Sequence, residues 1–305
     1  MPAKTFSIMG DSISTFEGCV PDGYTLFYND ERLERSGVLR PEDTWWSHAV
    51  RALGGTVLAD SAWSGSMVEG AGFPAASSPE RATALLGSDG QVPDAVLVFI
   101  GINDYGWGGA EAQAAGRSHA MPRCIDPAVP EQVAGAAPAD AVERFGAAYR
   151  TMLRNIHATA PEATVYCITL LPGRTHGIDH PEFCYRLRGR HLDEYNAAIR
   201  EAAAAEGCRV ADVRAFGRDY DSLEGTHPTN LGMRQFASMV VRAMQLADEA
   251  DADAESITVG AQPEVANPAL DLQDFCGAPE SAQLCDTPTC IGCPHAANTG
   301  NQWLC

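Results

Sequence analysis

The sequence lacks any apolar run long enough to cross a membrane, and its first residues lack the pattern of a signal peptide. A membrane-spanning helix needs about 18 consecutive apolar residues, and no window of the chain approaches that length. The start carries neither a basic segment followed by a long apolar stretch nor a small-residue cleavage site. From these absences we expect a cytoplasmic protein, whose ten cysteines are mostly thiols or metal ligands.

Basic residues are scarce throughout the chain. The 305 residues include 21 Lys and Arg against 40 Asp and Glu, for a formal net charge of −19. Phosphate groups would be repelled by such a surface, which excludes nucleic acid and anionic membrane as main partners. The content of 45% hydrophobic and 20% charged residues is that of a folded globular protein.

The end of the chain has no basic residues at all. Residues 247–305 contain acidic residues without a single Lys or Arg, together with half of the cysteines. This change in composition predicts a boundary near Ala247, with one domain at residues 1–247 and an acidic linker with a Cys-rich tail at 248–305. Within the second part, we expect residues 248–255 to form a solvated linker.

The cysteines of the tail have spacings that suit a metal. Four of them could form a tetrahedral four-thiolate zinc site, namely Cys276, Cys285, Cys290 and Cys293. His295 or Cys305 could replace one of these ligands. An iron–sulfur cluster, disulfides and free thiols are the alternatives that the spacing leaves open. Any such ion would be structural, clipping the tail onto the rest of the protein.

Before the boundary, short apolar runs alternate with amphipathic stretches. The runs predict strands at Thr5–Met9, Thr56–Ala59, Ala95–Ile100, Thr164–Thr169 and Arg209–Val213. The stretches predict helices at Trp45–Leu53, Ala139–Ala160, His191–Ala205 and Asn230–Ala247. This alternation is typical of a parallel sheet with helices on both faces, in which ligands bind beyond the carboxyl ends of the strands.

Three of the predicted strands lead into small polar segments. The first leads into Gly10-Asp11-Ser12, where a serine on a strand-to-helix turn points its hydroxyl away from the sheet. Gly65 after the second strand allows close backbone approach to a ligand, and Asn103 after the third offers an amide donor. Taken singly, each segment also has a structural explanation: a helix cap, a turn and a tie between loops.

A fourth polar segment precedes the last predicted helix. His227 lies there with Glu224 three residues upstream, the pattern of a base with an orienting carboxylate. An isolated histidine would more often be structural. The occurrence of all four segments in order, each after the expected strand, favours a common site.

These segments resemble those of the SGNH (GDSL-like) hydrolase superfamily of esterases and lipases, over about residues 5–246. The matching residues are Ser12, Gly65, Asn103 and His227. The resemblance implies a three-layer α/β/α sandwich around a five-stranded parallel sheet, of flavodoxin-like type. It also implies that Ser12 is the nucleophile and His227 the base. The oxyanion hole would consist of the backbone N–H groups of Ser12 and Gly65 and the Asn103 side chain, with no cofactor needed.

The chain departs from the family pattern at the third member of the triad. The family usually has Asp three residues before the histidine, where this sequence has Glu224, and Asp221 lies nearby as a rival. Glutamate can also accept the imidazole N–H, so Glu224 is the preferred acid. The motif position of Asp11 suggests that it stabilises the turn of the nucleophile.

The substrate is less constrained than the chemistry. We expect short-chain acyl esters, including O-acetylated carbohydrates; the alternatives are a thioesterase or lysophospholipase for longer chains, and a non-catalytic binding protein. The loops at 105–138 and 171–190 are candidate substrate walls. Within the second loop, His176 and His180 are more typical of loop polar residues than of metal ligands. Trp45 and Trp46 are expected in the core or in a pocket wall.

Overall fold

The computed structural model describes residues 3–106, 137–171, 173–175 and 186–256. In these ranges the strands are β1 (Thr5–Gly10), β2 (Thr56–Ala62), β3 (Ala95–Phe99), β4 (Thr164–Ile168), β5 (Gly173–Thr175), β6 (Arg186–Leu187), β7 (Arg190–His191), β8 (Arg209–Ala211) and β9 (Tyr220–Ser222). Five of them form one parallel sheet in the order β2-β1-β3-β4-β8. The order of strands changes direction at β1, because β2 lies on one side of it and the later strands follow on the other. The crevice beyond the carboxyl end of β1 is therefore the expected position of the site.

Helices cover both faces of this sheet. They are α1 (Glu31–Ser36), α2 (Trp45–Ala52), α3 (Pro79–Thr83), α4 (Ile102–Gly106), α5 (Ala141–Thr159), α6 (Leu192–Ala205) and α7 (Asn230–Ser256), with 3₁₀ turns at Pro41–Asp43 and Val213–Phe216. Helix α2 packs on α7, whereas α5 packs on α3 and α6. The result is the expected three-layer α/β/α sandwich around a five-stranded parallel sheet. None of the helices in the described ranges combines the length and apolar content that a bilayer crossing requires.

The central strands agree with the apolar runs, with differences at their ends. Strand β2 continues three residues beyond the predicted Ala59, through Asp60 and Ser61. Polar residues do not indicate a buried strand, so the apolar pattern did not predict this extension. Ser61 can be buried there because its hydroxyl donates to the Arg81 carbonyl at 2.8 Å. Strand β8 ends at Ala211, before the predicted Val213, because the Asp212 carboxylate accepts from the Ala215 N–H at 3.3 Å and starts a 3₁₀ turn.

The acidic segment expected as a solvated linker, residues 248–255, is helical, which corrects that prediction. Helix α7 continues past Ala247 to Ser256. The Arg209 guanidinium pairs with Asp248 at 2.9 Å and also with Asp251, and the Tyr166 hydroxyl donates to Asp248 at 2.6 Å. These contacts attach one acidic face of the helix to the edge of the sheet. Residues 257–305 lie outside the described residues.

A buried arginine ties the carboxyl ends of β1 and β2 together. Arg81, on α3, has no exposed surface, and its guanidinium donates to the carbonyl of Gly10 at 2.7 Å and to that of Ser61. It also donates to the Ser66 hydroxyl at 2.6 Å and to the Pro74 carbonyl at 2.7 Å. One side chain thus connects two strand ends with the loop that follows β2.

Replacement of this arginine should destabilise the fold strongly. Arg81→Met would leave several buried acceptors without a donor, at a cost of about 1–3 kcal/mol for each acceptor that water cannot reach. We expect the free energy of unfolding in urea, measured by circular dichroism, to fall by at least ~3 kcal/mol. The control is Arg40→Met, whose side chain is 71% exposed and pairs with Asp43, and it should change little. Equal effects of the two variants would contradict this role of Arg81.

Candidate active site

Ser12 lies at the tip of the turn that follows β1. The turn closes through the Ser14 N–H, which donates to the Asp11 carbonyl at 3.1 Å, and the Ile13 N–H, which donates to the Asp11 carboxylate at 3.0 Å. Gly10 is required before it, because a Cβ there would lie 2.5 Å from the Ser14 side chain. Asp11 therefore stabilises the turn, as its motif position suggests.

The two tryptophans of α2 pack behind this turn. Trp45 and Trp46 are both buried, which confirms the core alternative for them. The indole N–H of Trp45 donates to the Ser14 hydroxyl at 3.1 Å, and that of Trp46 donates to the Ser14 carbonyl at 2.8 Å. The apolar helix face thus also supplies two hydrogen bonds that hold the Ser12 turn.

The structure brings His227 against Ser12 from the other end of the chain. The imidazole Nε2 lies 2.8 Å from the Ser12 Oγ, and Nδ1 forms a short contact with the Glu224 Oε1. With its proton on Nδ1, the ring donates to Glu224 and accepts from the Ser12 hydroxyl at Nε2. Both Ser12 and His227 are buried, at 3% and 5% exposure, whereas the Glu224 side chain is 38% exposed.

Glu224, and not Asp221, is the carboxylate in contact with the imidazole. Its Oε1 also accepts from the backbone N–H of His227 at 3.1 Å. The Asp221 carboxylate accepts instead from the Thr229 hydroxyl, and the Asp221 carbonyl accepts from the Thr229 N–H at 3.1 Å. Asp221 therefore closes the base of the loop that carries His227.

Two tyrosines hold that loop in place. The Tyr28 hydroxyl donates to the Pro228 carbonyl at 2.7 Å, and the Tyr220 hydroxyl donates to the Thr226 carbonyl at 2.7 Å. Both rings are fully buried. Backbone atoms on each side of His227 are thus fixed from different parts of the fold, which limits the movement of the imidazole.

An aromatic ring missed by the sequence analysis covers one face of the imidazole. Phe27 stacks on His227 with ring centroids 3.4 Å apart and planes 3° from parallel. The guanidinium of Arg32 lies 4.9 Å from the Phe27 centroid, and must occupy the other face because the imidazole fills the first. A stack at this distance blocks rotation of the His227 ring. The separation of about two hundred residues in sequence left no local signal for it.

Gly65 and Asn103 are linked through the loop that follows β2, at the end of the sheet where Ser12 also lies. Gly65 has a φ of 79°, in the left-handed region that favours glycine. The Asn103 amide donates to the Ser66 carbonyl at 2.8 Å, so one of its two N–H groups ties the loops together. Within the described part of the chain, the backbone N–H groups of Ser12 and Gly65 donate to no protein acceptor.

A buried carboxyl fixes the rest of this loop. Asp104 accepts from the N–H groups of Val68 at 2.9 Å and Glu69 at 3.0 Å. Burial raises the pKa of Asp104 to about 7, against the opposing effect of these two hydrogen bonds. Together with Arg81, which binds Ser66, this carboxyl holds the loop from both sides.

Several predicted features fall outside the described residues. They are the four cysteines of the zinc prediction, Cys276, Cys285, Cys290 and Cys293; their substitutes His295 and Cys305; the pair His176 and His180; and loop residues 107–136. Within the described ranges, no group of three or more His, Cys, Asp or Glu side chains is arranged to hold a metal ion. The tail zinc site and the cytoplasmic location stay predictions.

Comparison with known proteins places the described region in a family. The sequence profile of the GDSL-like Lipase/Acylhydrolase family matches residues 8–235. A Bacteroides uniformis structure described as a GDSL-like lipase is 22% identical, with a TM-score of 0.52, and the match covers 80% of this chain and 96% of that one. A Bacteroides ovatus structure of the same description is 18% identical, with a TM-score of 0.50 and coverage of 82% and 100%. No curated protein matches the sequence.

The carboxyl next to Ser12 should make stability depend on pH. Burial raises the pKa of Asp11 to about 7, although the Ile13 N–H and the charge of Arg81 oppose this. A carboxyl with a higher pKa in the folded chain binds its proton more tightly there. The contribution of Asp11 to the free energy of unfolding is fully present below pH of about 4, the pKa of this carboxyl in the unfolded chain. It is lost as the pH rises through about 7, the pKa in the folded chain.

We therefore expect Asp11→Asn to flatten the decline in stability between pH 4 and pH 8. The difference in the free energy of unfolding between wild type and variant should change by roughly 4 kcal/mol over this interval, measured by urea denaturation at several pH values. The control is Asp94→Asn, which should leave this decline in place, because hydrogen bonds from Thr5 lower the pKa of the exposed Asp94 carboxyl. Parallel pH profiles for wild type and Asp11→Asn would contradict the prediction.

Proposed function

The chain belongs to the GDSL-like Lipase/Acylhydrolase family and is a carboxylic ester hydrolase, and we propose that it cleaves short-chain acyl esters through Ser12, His227 and Glu224. The observation that carries this proposal is the imidazole of His227, which contacts the Ser12 hydroxyl with one nitrogen and Glu224 with the other. Nucleophile, base and orienting acid in mutual contact are the arrangement that activates serine for acyl transfer.

The proposed reaction has two steps. In the first, the Ser12 Oγ attacks the ester carbonyl carbon while its proton moves to the His227 Nε2, which then protonates the departing alcohol. In the second, a water molecule loses a proton to the same nitrogen and attacks the acyl-enzyme, which releases the acid and restores Ser12. Glu224 keeps the imidazole oriented and offsets the charge that it acquires.

The developing oxyanion would be stabilised by three donors. They are the N–H groups of Ser12 and Gly65, which have no protein acceptor among the described residues, and the second N–H of the Asn103 amide. Donors held in fixed positions stabilise an oxyanion without having to reorganise during the reaction. The ties from Arg81 and Asp104 to this loop supply that rigidity. The chemistry requires only side chains, backbone and water.

Short acyl groups are favoured by the space next to the loop that follows β2 and carries Gly65. A cavity of about 250 Å³ adjoins Ser66, and its wall is formed by residues 66–67 and 69–75. This is below the range of about 300–1,000 Å³ typical of sites for larger ligands. Phe73 of this wall packs edge to face on Tyr24 and Trp63, which are tilted against each other, and the three centroids are 4.8–5.6 Å apart. Such an aromatic cluster suits a small acyl group or the apolar face of an acetylated sugar ring.

The identity of the triad acid can be tested with two substitutions. We expect Ser12→Ala to abolish hydrolysis of p-nitrophenyl acetate, and Glu224→Gln to lower kcat by about 10²–10⁴-fold because the imidazole loses its charged partner. Asp221→Asn is the matched control and should change kcat by only a few-fold, since its carboxylate bonds to Thr229. Thermal melting would verify that the variants fold. A greater loss in Asp221→Asn than in Glu224→Gln would reject the assignment.

The acyl preference can be tested with a series of p-nitrophenyl esters. We expect kcat/KM to be highest for acetyl or butyryl and at least about tenfold lower for palmitoyl, because a long chain needs an extended apolar groove. Acetylated glycans would then be screened for release of acetate. A rise in kcat/KM with chain length would favour the thioesterase or lysophospholipase alternative. Equal rates for wild type and Ser12→Ala would favour a non-catalytic protein.

A further inference from the structure

Two cysteines and a histidine form a cluster at the edge of the sheet opposite Ser12. Cys208 lies between α6 and β8, at the amino end of the strand, whereas Ser12 follows the carboxyl end of β1. The Sγ of Cys208 lies 3.3 Å from the Nε2 of His157, which belongs to the last turn of α5. Cys167 of β4 is fully buried and completes the cluster, and both thiols are free.

The strand register places the two thiols on one face. Cys167 is opposite Val210 in the parallel pair of β4 and β8, and Cys208 is two residues before Val210. Because side chains alternate along extended chain, residues two apart point to the same side. The side of the sheet that they share is the one covered by α5, which brings His157 to Cys208.

The electrostatic surroundings of Cys208 favour its thiolate. Its pKa falls to about 7, first because of the neighbouring Cys167 thiol and then because His157 contacts it. Burial raises the pKa of Cys167 well above its usual value, so this thiol keeps its proton and can donate. Cys208 itself is partly exposed.

Cys19 shows how different the environment of another partly exposed cysteine can be. It is also free and partly exposed, yet its pKa is raised to about 11 by burial and by the charges of Asp60 and Glu42. Since the thiolate is the nucleophilic form, these two cysteines should differ greatly in reactivity at neutral pH. The chain thus contains its own reference for the reactivity of Cys208.

Neither a metal site nor a disulfide explains the cluster. The described residues contain no group of three ligands with metal geometry. With strands about 4.8 Å apart and a rise of about 3.3 Å per residue, an offset of two residues separates the Cα atoms of Cys167 and Cys208 by roughly 8 Å. Disulfides rarely span more than about 7 Å between Cα atoms. Cys167 is therefore suited to be a hydrogen-bond donor and not a covalent partner.

We propose that Cys208, held between the Cys167 thiol and the His157 imidazole, is a site of covalent modification by small electrophiles of the hydroperoxide class. The thiol proton first moves to His157. The thiolate sulfur then attacks one peroxide oxygen and the O–O bond breaks, so that sulfur is oxidised to the sulfenic acid. The sulfur takes the hydroxyl-bearing oxygen, and the leaving group, hydroxide from hydrogen peroxide or an alkoxide from an organic hydroperoxide, takes the proton from His157 and departs as water or an alcohol, the reduced product. This site is independent of the ester hydrolase chemistry.

The first test compares Cys208 with Cys19 in the full chain. The protein is treated with limiting iodoacetamide at pH 7, and the extent of alkylation is followed by mass spectrometry of tryptic peptides. Residues 201–209 and 5–32 form separate peptides with one cysteine each. We expect Cys208 to react at least tenfold faster than Cys19. A Cys208 rate equal to or below that of Cys19 would overturn the proposal.

The second test assigns the roles of the two neighbours. Cys167→Ala and His157→Gln should each slow alkylation of Cys208 several-fold, whereas Cys167→Ser, which keeps a donor, should retain most of the rate. His48→Gln is the control, because His48 is a half-buried helical histidine that contacts Arg51 instead of a cysteine. Thermal melting identifies variants that do not fold. Unchanged Cys208 rates in folded Cys167→Ala and His157→Gln would overturn the proposal.

The third test uses hydrogen peroxide directly. A stoichiometric amount should block alkylation of Cys208 while Cys19 remains available, and dithiothreitol should restore it. Dimedone added with the peroxide should label Cys208 as the sulfenic acid adduct. Full alkylation of Cys208 after peroxide treatment would contradict the proposed chemistry, whatever the outcome of the esterase assays.

Discussion

The buried guanidinium of Arg81 is the contact on which the geometry of the site depends. It donates to backbone carbonyls at the carboxyl ends of β1 and β2 and to the Ser66 hydroxyl. The turn of Ser12 and the loop of Gly65 are therefore tied to one rigid group. A buried cation is costly unless its donors are satisfied, and here they are satisfied by atoms whose positions matter for the site. Stability and placement of the proposed oxyanion donors are therefore coupled.

The charge distribution around Ser12 follows from the same burial. Asp11 adjoins Ser12, Asp104 binds the loop that follows β2, and burial raises the pKa of each carboxyl to about 7. Below that pH both are largely neutral and place little negative charge beside the position of the proposed oxyanion. Burial lowers the pKa of Arg81 to about 10, which still leaves it charged at neutral pH. A protein with a formal charge of −19 thus keeps a positive charge behind this site.

His227, the proposed base, reaches Ser12 from a distant part of the sequence, and its position has separate supports. Tyr28 and Tyr220 hold backbone carbonyls on either side of His227, and Phe27 covers one face of the imidazole. Glu224 is three residues before His227, so that the proposed acid and the proposed base belong to one short loop. The Glu224 side chain is partly exposed, whereas His227 is buried.

Much of this architecture was predictable because it depends on local sequence. Apolar runs of strand length and amphipathic helical stretches are local patterns, and they indicated the parallel sheet and the four main helices. The polar segments at Ser12, Gly65, Asn103 and His227 could be recognised because each directly follows or precedes such an element. The rule that ligands bind at the carboxyl ends of parallel strands then predicted that they would meet.

Tertiary structure alone decided the features whose energy comes from distant partners. The extension of α7 to Ser256 depends on Arg209, the extension of β2 depends on Arg81, and the stack of Phe27 on His227 joins opposite ends of the chain. The choice of Glu224 over Asp221 required the direction of each side chain, which local spacing does not contain. The sequence by itself determined the order of elements and the kinds of chemistry available. Packing and hydrogen bonds between remote segments determined which groups touch, because the residues that surround a buried group come from separate parts of the chain.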